Sequence, residues 1–155
     1  MTRAFVKEAE ERGTLDELPD RPVSPHPNLV TPEGLAQIEA QLARWHDEHA
    51  AALAGGDRTE IAQTRREFRY WAARRASAKL APAQERHDIV RFGSTVTIRR
   101  ADGREQNWRL VGEDEADPAH GTLPYVAPLA SALMGKGIGE SVSIGTEAVE
   151  IIAIS

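Results

Sequence analysis

At 155 residues the chain has room for one ordinary domain with an appendage, or for two small ones, and with no cysteine it excludes disulfides and thiolate metal sites. The net charge of −5 divides as −2 over residues 1–30 (4 basic, 6 acidic), 0 over 31–89 (9 and 9) and −3 over 90–155 (6 and 9), which argues against sequence-specific DNA binding through a basic surface. No apolar run approaches the roughly 20 residues of a membrane span and no hydrophobic signal segment opens the sequence, so neither membrane insertion nor export is expected and the cytoplasm is the expected location.

Residues 1–30 read as an N-terminal extension, charged at first and then proline-rich: Pro19, Pro22, Pro25 and Pro27 favour extended backbone over helix. Its first 20 residues are expected to be disordered or a short helix, with Val23, Leu29 and Val30 pinning its end. At Thr31 the pattern changes. Thr31 is a good N-cap, Pro32 suits the first helical position, and Glu33 lies where the helix dipole favours an anion.

From there Leu35, Ile38, Leu42, Trp45, His49 and Ala52 alternate steps of three and four, the seam of a coiled coil, up to Gly55-Gly56, where glycine can close a helix. A second helix is predicted from about Arg58 to Ala81, burying Ile61, Phe68, Trp71, Ala72, Ala76 and Leu80. So short a connection forces the two helices to run antiparallel, giving an α-helical hairpin over 31–82 with arms of roughly 30 to 35 Å.

After residue 90 the apolar period becomes two. "VRFGSTVTIRR", "NWRLVG", "ESVSIG" and "EAVEIIAIS" read as strands, with an Asp-Gly turn in "ADGRE" and a short helix, Pro128 to Met134, closed by Gly135. The fold class is therefore α+β: an N-terminal antiparallel helical hairpin followed by a small, mainly antiparallel β domain over 90–155.

Three groups of residues raise a question of chemistry. Asp57 and Glu60, in "AGGDRTEIA", have capping-box spacing, in which the first acid bonds the N3 amide and the second reaches back to the N-cap amide. The same pair can serve as oxygen ligands to Mg²⁺, which keeps several waters and often takes only one or two protein carboxylates. Arg65, Arg66, Arg69, Arg74, Arg75 and Lys79 surround a single acid, Glu67, either as a solvated helix face or as a stripe near phosphate backbone. His46 and His49 stand at i and i+3 without a nearby third ligand, which favours a surface and seam reading over a metal site. The loop Glu113, Asp114, Glu115 and Asp117 lacks the alternation and glycine of a calcium loop and reads as a turn. The sequence has no Gly-rich phosphate loop, no G-x-S-x-G and no plausible Ser-His-Asp set, so nothing in its motifs supports a self-contained active site.

The order of "TPEGLAQIEAQL", "GDRTEIA", "VRFGSTVTI", "RLVGEDEAD" and "APLASALMGKGIGESVSI", which together cover most of residues 31–155, resembles the Gre-factor family (GreA/GreB) of bacterial transcript-cleavage factors. The proline-rich "RPVSPHPNLVTPEGL" is similar to N-terminal extensions of some members. The resemblance implies a coiled coil that enters the secondary channel of RNA polymerase and a C-terminal domain of FKBP-like fold that grips the channel rim. It also implies that the tip acids, here Asp57 and Glu60, help hold a Mg²⁺ shared with the polymerase active site, with no cofactor bound stably by the factor alone. That ion would stimulate cleavage of the nascent RNA 3′ end in backtracked complexes.

By the same resemblance Val126, Ala127, Pro128 and Leu129 form the partner-binding segment; beside a projecting acidic tip, the guanidinium groups of Arg65, Arg66, Arg69, Arg74 and Arg75 would suit phosphate as an RNA-proximal basic stripe. The chain departs from the usual tip, close to "GDLSENAEY", at Arg58, Thr59, Ile61, Gln63 and Thr64. Its first arm is also about one heptad short, or about 10 Å of reach. These departures keep open an alternative, an Rnk-like or inhibitory regulator that occupies polymerase without stimulating cleavage. A proline isomerase is a third reading, from the shared C-terminal fold, although only Phe92, Trp108 and Tyr125 are available to line a proline pocket.

Overall fold

The computed structural model describes residues 18–155, and the expectation for the first 20 residues falls almost wholly outside that range. The chain divides into two compact units. One comprises residues 18–25 and 37–77, the other residues 26–36 and 78–155.

The first unit is built on the hairpin of α1 (Pro32–Gly55) and α2 (Arg58–Ser77). Helix α1 closes at Gly56, which takes φ +75° and donates its amide to the Ala52 carbonyl at 3.0 Å. Only glycine adopts that conformation without strain, so the reversal lies where the sequence puts it. All six residues of the α1 seam are buried or half-buried, Ile38 and Ala52 most completely.

Helix α2 departs from expectation in two respects. It ends at Ser77 rather than near Ala81, because the Lys79 and Ala81 amides donate to the Asn28 and Val30 carbonyls, pairing β1 (Leu29–Val30) with β2 (Lys79–Leu80) in parallel. Its buried side is also shifted. Ile61, Phe68, Trp71 and Ala72 are half-buried as expected, but Ala76 is exposed and Leu80 is 56% exposed, while Ala62, Thr64 and Arg74 are buried. Residues 18–25 pack on α2 through polar groups: the Arg21 guanidinium lies 3.7 Å from the Tyr70 ring centroid and 2.7 Å from Glu67, and Asp20 is 3.5 Å from Arg69. Val23, expected to pin this segment, is 49% exposed. Arg21 takes that part instead, through stacking and charge.

In the second unit a five-stranded sheet has the order β5-β4-β3-β7-β6, formed by β3 (Thr95–Arg99), β4 (Glu105–Val111), β5 (Thr122–Pro124), β6 (Ser141–Ile144) and β7 (Glu147–Ile154). All its pairs are antiparallel except β4 with β5. Strand β3 begins after a turn at Arg91–Ser94, five residues later than the Val90 start that its apolar pattern suggests, because Gly93 takes φ +86°. Strand β5 was not legible as a strand. It is short, lies at the sheet edge and ends in Pro124, where a missing amide is tolerated.

The run Val149, Ile151, Ile154 breaks a period of two, and the sheet accommodates it with a bulge. Between Thr97 and Ile98 the β7 register skips from Ala153 to Ile151, so that Ile151 and Ile154 are both buried. They join Val96, Ile98, Leu110, Val142 and Val149 in a core capped by Ala130 and Leu133 of the short helix α3 (Pro128–Leu133).

The acidic loop is a turn as predicted, but one of its carboxylates has a structural task. Glu115 accepts from the Thr31 amide at 3.2 Å and from the Thr31 hydroxyl, whose oxygen in turn accepts from the Gly34 amide at 3.0 Å. The start of α1 is thus capped by Thr31, as expected, and by an acid 84 residues away. Glu33 faces Arg109 at 3.4 Å, and its carboxyl is held below the usual carboxylate range by its own amide first, then by the Arg109 charge and the Thr31 hydroxyl.

A Cβ at Gly34 would lie 1.7 Å from a Glu115 oxygen, so an alanine there must displace the capping carboxylate. Gly34→Ala is expected to destabilise the protein by about 1–3 kcal/mol, the scale of a lost hydrogen bond to a charged group. In a Glu115→Ala background the same change is expected to stabilise by up to about 1 kcal/mol, because alanine then acts only through its better helix propensity. Urea denaturation of the two single variants and the double variant measures this reversal of sign.

Candidate functional site

Asp57 follows directly on the glycine reversal and is the N-cap of α2. One of its oxygens, Oδ1, accepts from the Thr59 amide at 2.9 Å and the Glu60 amide at 3.1 Å. Its carbonyl accepts from Ile61 at 3.0 Å, closing the first helical turn. The capping box is only half made. Glu60 does not reach back to the Asp57 amide, and among the described residues its carboxylate has no hydrogen bond or ion pair. Both acids are exposed. The cap therefore orients Asp57 through one oxygen and leaves the other oxygen and both of Glu60's for an outside ligand.

Behind this turn the two arms are joined by a polar contact. His49 Nδ1 lies 2.9 Å from Thr64 Oγ1, and that hydroxyl lies 2.7 Å from the Glu60 carbonyl and 3.2 Å from that of Ile61. His49 also stacks on Phe68, with ring centroids 6.3 Å apart and planes 10° apart. Burial holds its imidazole pKa below the ordinary value, and the Arg65 charge and His46 act in the same direction. His46 Nδ1 lies 3.3 Å from Asp47, and its ring also meets Phe68 with centroids 5.8 Å apart, so both histidines border the same phenyl ring. Among the described residues there is no group of three or more His, Cys, Asp or Glu able to hold a metal, and an ion at Asp57 and Glu60 would have to draw further ligands from elsewhere.

The arginines do not form one exposed face. Arg74 is 2% exposed, Arg75 pairs with Glu39 at 3.0 Å, and Arg69 reaches Asp20. Arg65, Arg66 and Arg69 line one hollow together with Leu18, Pro19 and Asp20, so the N-terminal segment lies beside the stretch of the stripe nearest the turn. Sequence reasoning missed this arrangement because the segment carries no apolar pattern to mark its docking.

In the second unit Val126, Ala127, Pro128 and Leu129 lead into α3. Ala127 is its extended N-cap residue, Pro128 is exposed at the first helical position, and Ala127 and Leu129 pack on the core. Ile138, 60% exposed between Gly137 and Gly139 in the loop after α3, is a further apolar surface that the sequence reading did not single out. The signal available was an isoleucine flanked by glycines. Phe92 and Tyr125 pack edge to face at 5.6 Å, and the Tyr125 hydroxyl donates to the Pro27 carbonyl at 2.6 Å. The groove beside Phe92, Pro32 and Pro82 measures about 260 Å³, and of the three aromatic residues named for a proline pocket only Phe92 lines it.

Residues 85–155 match the family model described as "Transcription elongation factor, GreA/GreB, C-term". The chain is 34% identical to transcription elongation factor GreA of Legionella pneumophila over 145 residues, covering 80% of this chain and 89% of that protein. It is 34% identical to transcription elongation factor GreB of Pseudomonas aeruginosa over 143 residues, covering 79% and 84% respectively. Among solved structures, the prokaryotic transcription elongation factor GreA/GreB from Nitrosomonas europaea is 21% identical, over 82% of this chain and 98% of that one, at a TM-score of 0.42.

The depressed pKa of His49 fixes the sign of one pH effect. In the folded hairpin the imidazole binds a proton less readily than in the unfolded chain, where its pKa is about 6.5. Its contribution to stability is therefore complete above that value and is lost as pH falls through it toward the folded pKa. Urea midpoints of the helical circular-dichroism signal at pH 7.5 and 5.5 are expected to fall on acidification by more in the wild type than in His49→Gln.

Proposed function

Because the chain belongs to the GreA/GreB family of transcription elongation factors, we propose that it binds RNA polymerase at the secondary channel and stimulates the polymerase's own cleavage of backtracked RNA. The observation that carries this reading is the half-made cap. Asp57 is oriented by two amides, and the carboxylate of Glu60 in the same turn is left without a hydrogen bond or ion pair among the described residues.

Two exposed hard-oxygen donors suit Mg²⁺, which commonly keeps waters and takes a minority of its ligands from any one protein. Such an ion lowers the pKa of a bound water and offsets charge developing on the phosphate. The chain's own residues supply the placement. Gly56 sets the reversal, the Asp57 cap fixes the first turn of α2, and Glu60 extends from it. Asp57 and Glu60 hold the ion only in the complex, shared with the polymerase active site. The factor is then not an enzyme by itself, and it meets the nascent RNA 3′ end only indirectly.

The segment Val126 to Leu129, with exposed Pro128 foremost, docks on the channel rim. Arg65, Arg66 and Arg69 are the members of the basic stripe suited to approach RNA, since Arg74 is buried. A second reading, occupation of polymerase without stimulated cleavage, is favoured by Ile61, half-buried in the hairpin seam where the family tip carries a polar asparagine.

Release of 3′ RNA fragments from stalled, backtracked polymerase separates the two. The wild type is expected to accelerate release, and Asp57→Asn or Glu60→Gln to lower that acceleration by at least about tenfold, the scale on which disturbing a metal site acts. Equal rates with the wild type and both variants would remove the role of the acids. Slowed release together with displacement of an active cleavage factor would establish the second reading.

A further inference from the structure

Thr64 is an unusual residue to find inside a helix at a seam. A β-branched side chain lowers helix propensity, and valine would fill the same volume without a hydroxyl to satisfy. Thr64 is nevertheless buried, and its hydroxyl is satisfied on two sides. The hydroxyl has one proton. With that proton given to the Glu60 carbonyl at 2.7 Å, the oxygen accepts from the Nδ1–H of His49 at 2.9 Å. His49 lies seven residues before Gly56 and Thr64 seven after Asp57, so the contact joins equivalent levels of the two arms.

The peptide groups around Glu60 are consequently held from both directions. Asp57 Oδ1 takes the amide and Thr64 takes the carbonyl, and through His49 that carbonyl is tied to the opposite helix. Small buried residues, Ala52 and Ala62, fill the seam close to the turn. They supply close packing but no direction, whereas a hydrogen bond fixes an orientation as well as a distance.

We infer that the His49–Thr64 crosspiece is a positioning device for the tip: it fixes the first turn of α2 against α1 and so sets where the carboxylates of Asp57 and Glu60 point. This rests on the proposed role of those acids in RNA cleavage and adds two residues that touch neither ion nor RNA.

Two measurements on Thr64→Val and Thr64→Ser test it. The first is hydrogen exchange at the Thr59 and Glu60 amides of the free protein. Thr64→Val is expected to speed exchange by about three- to tenfold, the equilibrium worth of one hydrogen bond, and Thr64→Ser to restore protection. The second is fragment release from backtracked polymerase. The saturating rate is expected to fall by a similar factor in Thr64→Val, with the half-saturating concentration unchanged, and to recover in Thr64→Ser. A residue that merely supports folding would alter half-saturation and thermal midpoint without the split.

Exchange at Thr59 and Glu60 that is unchanged by Thr64→Val overturns the inference. So does a wild-type saturating rate in Thr64→Val under conditions where Asp57→Asn abolishes stimulation. If the wild type itself stimulates no cleavage, the proposed function falls, and the exchange rates alone then uphold or overturn the crosspiece.

Discussion

The reversal at Gly55-Gly56 is the constraint from which the rest of the first unit follows. Two residues between helices allow only an antiparallel return, and the positive φ of Gly56 closes α1 where no side chain could follow without strain. Once that return is fixed, the seam on α1 faces α2, and His49 and Thr64 come level. Asp57 is the first residue beyond the reversal, and so becomes the cap of α2. Both acids stand exposed beside that tight turn among the described residues.

Both helices of the hairpin begin with a carboxylate accepting main-chain amides, but the two acids come from different ranges of the sequence. Asp57 caps α2 from within its own turn, and Glu115 reinforces the Thr31 cap of α1 from a loop 84 residues downstream. A local cap leaves its free oxygen at the surface. A distant cap brings a whole loop against the helix start, and Gly34 and Gly112 admit it because neither carries a side chain. A Cβ at Gly112 would lie 2.4 Å from the Leu29 carbonyl oxygen. Residues 29–34 and 112–115 therefore depend on one another's shape.

The parts legible in the sequence are those governed by short-range rules: the Thr31 and Asp57 caps, the glycine closures, the seam of α1, the Asp-Gly turn and most strands. Those that were not legible depend on a distant partner. Helix α2 stops at Ser77 because Lys79 and Ala81 find main-chain acceptors near Asn28, and no periodicity within α2 reports that. Arg21 was hidden among prolines and charges, since its partners Glu67 and Tyr70 lie 46 and 49 residues away. Glu115 looked like one acid in an acidic turn. At the candidate site the acids were evident from spacing and resemblance. The unmade half of the capping box and the role of Thr64 were not, because both turn on which of several sterically allowed hydrogen bonds forms.

The parallel pairing of Leu29–Val30 with Lys79–Leu80 has a consequence for how such a chain can change over time. The strand leading into the hairpin and the strand leading out of it are hydrogen-bonded neighbours, so residues 31–78 form an excursion whose two ends are tied together. Removing or adding the same number of helical turns on both arms leaves that knot of main-chain bonds as it was. The span of the hairpin is then a quantity that insertion and deletion can adjust separately from the fold that anchors it.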